Sequence, residues 1–595
     1  MPFSIIFANI YTRKFLDRKG IEMKVNKKEV VRLLEQIATY MELKGENAFK
    51  IAAFRKAAAA LETDVRSLEE IEDFTSINGI GKGTNEVIIE YIQSGQSSVL
   101  KELQNEVPKG LIPLLQLPSL GGKKISRLYH ELDIIDVQSL KAACEEGKVQ
   151  TLKGFGKKTE EKILEAIETF SLKPTRFPLA YMLKHIRLLD EELRHMDGII
   201  QFSHAGSLRR VQETLKDLDY VISTHEPKLV KEQLLRLNEA KEAIASGNTK
   251  VSITISDVHD VNVDFRLVTP EEFATALHHF TGSKQHNVRM RQLAKQRGEK
   301  ISEYGVELIE TGETLTFESE EEFYHHFDLP FIPPEIREDG KEVDEYTFEK
   351  ELLTLKDIQG DLHMHTTWSD GAHTLEDMIN ACREKGYKYM AITDHSRYLT
   401  VANGLTPERL REQNEEIKRL NDKYDDILIL SGIEMDILPD GTLDYEDELL
   451  AELDIVIASI HSSFNQPKAK IMDRLKTALM NPHVDIIAHP TGRLIGRRQG
   501  YDVDIELLIE LAKETNTVLE LNSNPNRLDL TSTYVRKAQE NGVKIVINTD
   551  AHHKEDLEFM EYGVGTARKG WIQKKSVLNT MEPDELIDFL RKKNK

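Results

Sequence analysis

Cysteine is nearly absent from this chain: two occur in 595 residues, Cys144 and Cys382. Two thiols so far apart supply neither a disulfide framework nor a CxxC zinc site, and they suit a reducing compartment, so a cytoplasmic location is expected. Long apolar runs are missing too. No stretch approaches the roughly 18–20 uncharged apolar residues that a membrane span needs, so no membrane partner is expected. The charge order of a secretory leader is also missing, because Arg13, Lys14, Asp17, Arg18 and Lys19 follow the apolar Pro2–Tyr11 segment instead of preceding it. Residues 1–22 are therefore read as an extension or alternative start, with no function assigned. What remains, 40% hydrophobic and 30% charged residues, is globular composition. The length suggests roughly three or four domains.

Positive charge is in deficit overall, with a net charge of −22. Spread evenly, that would argue against nucleic acid. It is not spread evenly: residues 1–300 hold 45 Lys and Arg against 42 Asp and Glu, and residues 301–595 hold 34 against 59. A near-neutral half can carry a phosphate-binding stripe, while an acidic half can supply metal ligands.

Helical apolar spacing runs through Val25–Met41, the Ala-rich Phe49–Leu61 and onward to about residue 170. The period then shifts, and Asp219–Ile222, Val251–Ile255 and Val261–Val268 read as strands. Prolines and charge combine over Asp328–Asp339, and an acidic run follows to Glu351, which marks the main boundary. Beyond it seven short apolar runs alternate with helical stretches: Ile358–Leu362, Tyr389–Ile392, Ile427–Leu430, Ile455–Ile460, Val484–Ile487, Val518–Leu521 and Val543–Ile547. That alternation predicts a closed α/β barrel.

Two turns, INGIGKG (Ile77–Gly83) and LKGFGKK (Leu152–Lys158), each precede a predicted helix, and PSLGGKK (Pro118–Lys124) is a degenerate third copy. Glycine lets such a turn close tightly, and amides at a helix N-terminus can approach a phosphate. One such turn could simply join two helices. Repetition favours sequence-independent binding to the DNA backbone through Gly79, Gly81, Lys82, Gly154, Gly156 and Lys157.

Residues 205–222 read AGSLRRVQETLKDLDYVI. Asp217 and Asp219, two apart at a strand start, point to one face, and Asp264 lies on another predicted strand. A lone Asp pair could be an exposed strand end. Three converging carboxylates could hold two divalent cations that bridge a triphosphate and prepare a 3′-hydroxyl for in-line attack, with Ser207 and Arg210 on the leaving phosphates.

This half resembles the X family of DNA polymerases over roughly residues 25–337. The resemblance implies that Asp217, Asp219 and Asp264 bind two Mg²⁺ or Mn²⁺ ions and act catalytically. It implies that Gly206, Ser207 and Arg210 contact the incoming dNTP, that His279, Phe280, Thr281, Gly282 and Ser283 form a sugar- and base-contacting turn, and that Asn287 reaches the minor-groove edge. Asn47–Ala57 resembles the family's small N-terminal domain, where Lys50 would meet a gap's 5′-phosphate. Gly83 and Val87 stand where lyase-active members carry lysines, Lys216 replaces a glycine before the Asp pair, and Asn262 stands where an Arg often sits.

In the acidic half, DLHMHTTWSD (residues 361–370) is followed by TDH, GIEMD, IHS, IAHP and TDAHH segments, each near a predicted strand end. That is how an α/β barrel assembles a site on one face, and imidazoles mixed with carboxylates suit transition metals. Any single histidine could be a satisfied core residue; the recurrence argues otherwise. The pattern is similar to the PHP (polymerase and histidinol phosphatase) family over roughly residues 356–595. The resemblance implies a distorted seven-stranded barrel with a trinuclear Zn²⁺, Mn²⁺ or Fe²⁺ cluster held by His363, His365, Asp370, His395, Glu434, His461, His489, Asp550 and His552. Arg493, Arg497 and Arg498 could contact substrate phosphates or line a solvated loop.

The expected architecture is multidomain: residues 23–100, a small helical gap-binding domain with a helix–hairpin–helix; 101–172, a second helical DNA-binding domain; 173–268, an α+β nucleotidyltransferase palm like that of polymerase beta; 269–337, a thumb; 338–355, an acidic linker; and 356–595, the PHP barrel. The expected function is short-gap filling in base excision repair on gapped or nicked DNA with a 5′-phosphate, by a monomer. A PHP 3′–5′ exonuclease and possible AP endonuclease or 3′-end processing accompany it. The alternative is a small-molecule PHP phosphoesterase tethered to a gap-binding module.

Overall fold

The computed structural model describes residues 15–16, 22–23 and 27–593, apart from residues 65, 67, 69–70, 72, 118–119, 171–175, 238–239 and 257–258. The extension expected over residues 1–22 lies almost wholly outside these, as do Pro118 and Ser119 of the third hairpin turn. The backbone divides into two compact units, Met1–Pro174 with Leu399–Gly404, and Thr175–Tyr398 with Leu405–Lys595.

The first unit is helical. Helices Lys27–Lys44, Ala48–Thr63, Lys82–Ser94 and Ser98–Glu106 enclose a core that includes Leu34, Ile37, Leu61 and Ile88. Asn47 starts the second of these, its side chain accepting from the Phe49 N–H, the cap that an Asn favours. Helices Gly122–Leu132, Val137–Glu145 and Lys157–Phe170 enclose another core around Leu111, Ile125, Leu128 and Ile163.

The second unit begins with a five-stranded sheet in the spatial order Gln201–His204, Leu218–Ser223, Asp260–Val268, Lys250–Ser256, Ala240–Ser246. Leu218–Ser223 and Asp260–Val268 run parallel and the other pairs antiparallel. Helix Leu179–Arg194 lays Met182, Ile186 and Leu189 against the sheet's Tyr220 and Phe265. Sequence periodicity finds the three inner strands and misses Gln201–His204 and Ala240–Ser246. A thumb follows, built from helices Phe273–Thr281 and Lys284–Gln296, a small antiparallel sheet and helix Glu320–His326. Within residues 338–355, expected as an acidic linker, Glu342, Val343, Leu352 and Leu353 are buried while many of the other side chains are exposed. Glu342 is buried and accepts from His286 Nδ1 at 2.6 Å, Arg289 pairs with Asp344, and Lys569 pairs with Glu338. Glu338, Glu342 and Asp344 thus meet basic groups on either side of the segment.

All seven strands expected in the acidic half are present and parallel, in strict sequence order: Gly360–Asp361, Tyr389–Ile392, Leu428–Asp436, Ile455–Ser459, Ile486–Ile487, Val518–Asn522 and Ile545–Asn548. A bridge between Met364 and Ala551 draws the first and last together into a nearly closed barrel. The strands read as continuous apolar runs because both faces are covered. One face packs Ala391, Leu430, Ile457, Val518 and Val546 with Leu586 and Leu590 of the C-terminal helix, and the other packs on the surrounding helices.

Candidate active sites

In the sheet of the second unit, Asp219 and Asp264 are register partners on adjacent parallel strands. Asp217 lies one residue before its strand rather than on it, because the ladder starts at Leu218 opposite Val263. Burial, and then the charges of Asp217 and Asp264, push the Asp219 carboxyl up to about 7. Three carboxylates crowded in this way retain a proton that divalent cations would displace. Asp264 is held from its own face: Ser252 Oγ donates to it at 2.5 Å, and Lys250 Nζ lies 2.7 Å from its other oxygen. Sequence reading singled out neither residue, since their relation to Asp264 exists only in the antiparallel register.

Gly206 and Ser207 open the short helix Gly206–Arg209, and Arg210 ends it. The Arg210 guanidinium donates to the Thr281 carbonyl. Burial lowers its pKa, opposed by Glu338 and Asp219. The expected substrate turn is therefore tied to the short helix beside the five-stranded sheet. Within it Phe280 lies under the Arg266 guanidinium, 4.4 Å from Cζ to the ring centre. Asn287 Nδ2 donates to the His279 carbonyl at 2.7 Å, and Ser283 caps helix Lys284–Gln296 while donating to the Glu338 carbonyl. Asn287 and Ser283 thus hold the turn's shape here, while Gly282, in the left-handed region at φ 71°, follows Thr281 directly beneath Arg210. Arg266, which sequence reading passed over, also lowers the Asp219 pKa.

In the first unit, Gly79 (φ 122°) and Gly154 (φ 89°) adopt conformations that suit glycine, directly before helices that begin at Lys82 and Lys157. Gly81 is the N-cap of the first, and a Cβ at Gly81 or Gly156 would meet nothing within 4 Å. Both turns therefore present open backbone. Gly121 caps Gly122–Leu132 in the degenerate copy. Lys50 is exposed and pairs with Glu46 at 3.3 Å. Val87 is buried in the helical core.

The barrel gathers all nine expected residues. Glu434 is the hub: its carboxylate lies 2.9 Å from His395 Nδ1, 2.9 Å from His489 Nε2, 3.2 Å from His461 Nε2 and 3.5 Å from His363 Nε2. Asp550 Oδ1 lies 3.2 Å from His365 Nε2, and Asp370 Oδ1 lies 3.6 Å from His395 and 3.4 Å from His552. The donor atoms fall into three overlapping groups: His365, Asp370, His395 and His552; His363, His365 and Asp550; His395, Glu434 and His461. His363 Nε2, both His365 ring nitrogens, His395 Nδ1, His489 Nδ1 and Glu434 Oε2 are buried without hydrogen-bond partners among the described residues. Buried polar atoms left in that state are costly unless something binds them, and this donor set fits divalent metal ions. Burial, then the neighbouring His552 and His395, lower His365 to about 4, whereas against burial Glu520, Glu434 and Asp550 raise His363, and Glu434 and Asp436 raise His461.

A second layer orients these ligands. Glu520 accepts hydrogen bonds from His363 Nδ1 at 2.7 Å and from the His489 backbone N–H at 2.7 Å, and Asp436 lies 3.3 Å from His461 Nδ1. Asp394, beside His395, is engaged by Thr366, Ser369 and Gln413. Glu520 sits mid-strand in an apolar run and gave no motif signal. Of the three loop arginines, Arg493 is taken up by Glu213 at 2.7 Å and Arg498 by the Gly492 carbonyl, while Arg497 stays exposed. Arg527, which sequence reading did not single out, approaches the cluster instead, with Nε 3.5 Å from Asp550.

Over 568 residues, 96% of this chain and 100% of the relative, the sequence is 62% identical to the DNA polymerase/3'-5' exonuclease PolX of Bacillus subtilis (strain 168). The chain belongs to the PolX family. Family models agree in order along the chain: a helix-hairpin-helix domain at residues 25–97, a SAM-like helix-hairpin-helix tandem at 111–169, a DNA polymerase beta thumb at 276–338 and a PHP domain at 361–524. The barrel half alone is similar to shorter proteins, among them probable phosphatases of Thermoanaerobacter sp. (strain X514), 30% identical over 246 residues, and Caldanaerobacter subterraneus, 30% over 248 residues; each match covers 40% of this chain and more than nine-tenths of the relative. A PolX chain with these clusters uses divalent metal ions and binds DNA. No helix among the described residues is long and apolar enough to cross a membrane.

Proposed function

We propose that this PolX protein fills short gaps in DNA during base excision repair and trims 3′ ends in its PHP barrel, with AP endonuclease and 3′-end processing as further actions of the barrel. The substrates are gapped or nicked duplexes with a 5′-phosphate and dNTPs, and the acting species is a cytoplasmic monomer. The observation that carries this reading is the presence of two separate carboxylate-bearing centres in one chain, the Asp219–Asp264 register pair with Asp217 and the Glu434-centred cluster.

In the palm, Asp217, Asp219 and Asp264 would hold two Mg²⁺ or Mn²⁺ ions, which supply charge neutralisation and Lewis acidity at the triphosphate. Ser252 and Lys250 fix the Asp264 carboxylate in advance, so little reorganisation is needed when substrate arrives. Ser207 and Arg210 would neutralise the departing phosphates. Phe280, backed by Arg266, would offer a flat apolar surface to the sugar, with His279, Gly282 and Asn287 shaping the turn. Gly79, Gly81, Lys82, Gly154, Gly156, Lys157 and Lys50 would meet the DNA backbone.

In the barrel, the nine ligands would hold three ions drawn from Zn²⁺, Mn²⁺ and Fe²⁺, which supply Lewis acidity toward a phosphodiester. Glu520 and Asp436 orient His363 and His461 through hydrogen bonds, which also set which ring nitrogen faces inward.

The test is a one-nucleotide gapped duplex with a 5′-phosphate, assayed for insertion and for 3′ trimming with each metal in turn. Asp264→Ala should abolish insertion and leave trimming, and simultaneous loss of both in a folded variant would refute two independent centres. The likeness to probable phosphatases favours a second reading, in which the barrel hydrolyses a small phosphomonoester. Faster turnover of such an ester than of an oligonucleotide would select it.

A further inference from the structure

Leaving the barrel strand Val518–Asn522, the chain makes a tight loop in which Asn522 and Asp529 exchange backbone hydrogen bonds and the Leu528 N–H donates to the Asn524 carbonyl. Three successive side chains of that loop face three different places. Arg527 reaches toward Asp550 in the metal-ligand cluster. Leu528 is fully buried in a core whose other buried members are palm residues such as Leu208, Leu215 and Leu218, with Ile495, Phe559 and Tyr562 of the barrel half packed against it. Asp529 accepts the N–H of Thr491, two residues beyond the ligand His489. Leu528 holds φ 41°, a region unfavourable for a leucine, and its seat in the palm core offsets that strain. Arg493 fastens the same spot, donating both to the Leu528 carbonyl and, at 2.7 and 3.1 Å, to Glu213 of the palm.

Arg527 also has a cationic neighbour. The Arg498 guanidinium stacks 4.0 Å from the centre of the Phe464 ring, and burial, followed by the Arg527 charge, lowers its proton affinity. The Arg527 guanidinium itself stands at the edge of the metal-ligand cluster, where a planar, permanently charged donor suits a phosphate.

We propose that Arg527 binds a backbone phosphate of the DNA 3′ end in the barrel, and that the palm sets its position through Leu528 and the Arg493–Glu213 pair. Arg527 is then a binding residue of the nuclease, and Leu528, Arg493 and Glu213 are positioning residues that act through its loop. The inference rests on the nuclease reading of the barrel.

The test uses full-length Arg527→Ala, Arg527→Lys, Leu528→Ala and the Arg527→Ala, Leu528→Ala double variant, with Glu213→Gln as a release of the loop that opens no cavity. Trimming of a single-stranded oligonucleotide is resolved into kcat and KM, and bound metal and amide exchange over residues 524–529 are measured alongside. Arg527→Ala should raise KM about tenfold or more, the scale of a lost charge-assisted hydrogen bond, with metal content unchanged and partial recovery in Arg527→Lys. Leu528→Ala and Glu213→Gln should speed exchange over 524–529 and raise the same KM, and the double variant should be no worse than Arg527→Ala. An unchanged KM in Arg527→Ala overturns the proposal. So does faster loop exchange with normal KM in Leu528→Ala or Glu213→Gln, or multiplicative effects in the double variant. Wild-type protein that turns over a phosphomonoester but no oligonucleotide overturns the nuclease reading itself, a failure visible before any variant is made.

Discussion

Gly206 lies so close to Asp219 that a Cβ added to it would stand 2.1 Å from Asp219 Oδ2. The same glycine has φ 55°, in the left-handed region. Gly206→Ala therefore meets both a steric and a conformational penalty at the carboxylate that the triad shares. Insertion in the gapped-duplex assay should fall by about two orders of magnitude or more, the cost of displacing a reacting group by about 1 Å. Trimming by the barrel should change less than twofold, and equal loss of both would show that the substitution unfolds the palm.

Metal-free protein should carry the cost of Asp219 in its pH profile. A carboxyl raised from 3.8 to about 7 binds its proton more tightly in the folded state than in the unfolded one. Its contribution to stability is full below the unfolded pKa and is lost as pH rises through about 7. Without metal, Asp219→Asn should melt above wild type at pH 8, with the gap narrowing toward pH 5. Added Mg²⁺ should raise the wild-type melting temperature more than the variant's. Parallel pH profiles without metal would mean that the three acids do not share a proton.

His363→Ala combined with His365→Ala removes two ligands from one strand end and should abolish trimming while insertion persists. Metal analysis should find fewer ions per chain than in wild type, because these rings belong to two of the three donor groups. Full metal occupancy in the double variant would exclude them as ligands.

Lys50→Ala should weaken binding to a gap with a 5′-phosphate more than to one with a 5′-hydroxyl, as read by fluorescence anisotropy at several salt concentrations. The Lys50–Glu46 pair is exposed, so exchanging it for a DNA phosphate costs little. Equal losses on both gaps would leave Lys50 as general surface charge.

The barrel was almost wholly legible in the sequence. Parallel strands buried on both faces tend to be short apolar runs, and all but the first, Gly360–Asp361, stand out as such, with eight of the nine expected ligands at or beyond strand ends and Glu434 within its strand. Asp217, Asp219 and the two hairpin turns were legible for a related reason: their chemistry follows from spacing within one segment. The edge strand Ala240–Ser246 was not, since AKEAIAS favours a helix and only hydrogen bonding to Lys250–Ser256, with two register shifts, makes it a strand. Nor was the packing of residues 338–355, whose acids look solvated until the basic groups beside them are known.

The sequence by itself determined the order of the helical, sheet and barrel regions and the candidate His, Asp and Glu ligands at the barrel strand ends, because each depends on local periodicity or short spacing. Tertiary structure alone decided that Ser252 and Lys250 hold Asp264, that Glu520 orients His363, and that Leu528 leaves the barrel to join the palm core. The Ser252–Asp264 and Glu520–His363 contacts join residues 12 and 157 positions apart, and the Leu528 contact spans further still, through side chains with no motif of their own. Only the register of the sheets and the docking of one layer on another brings them within reach.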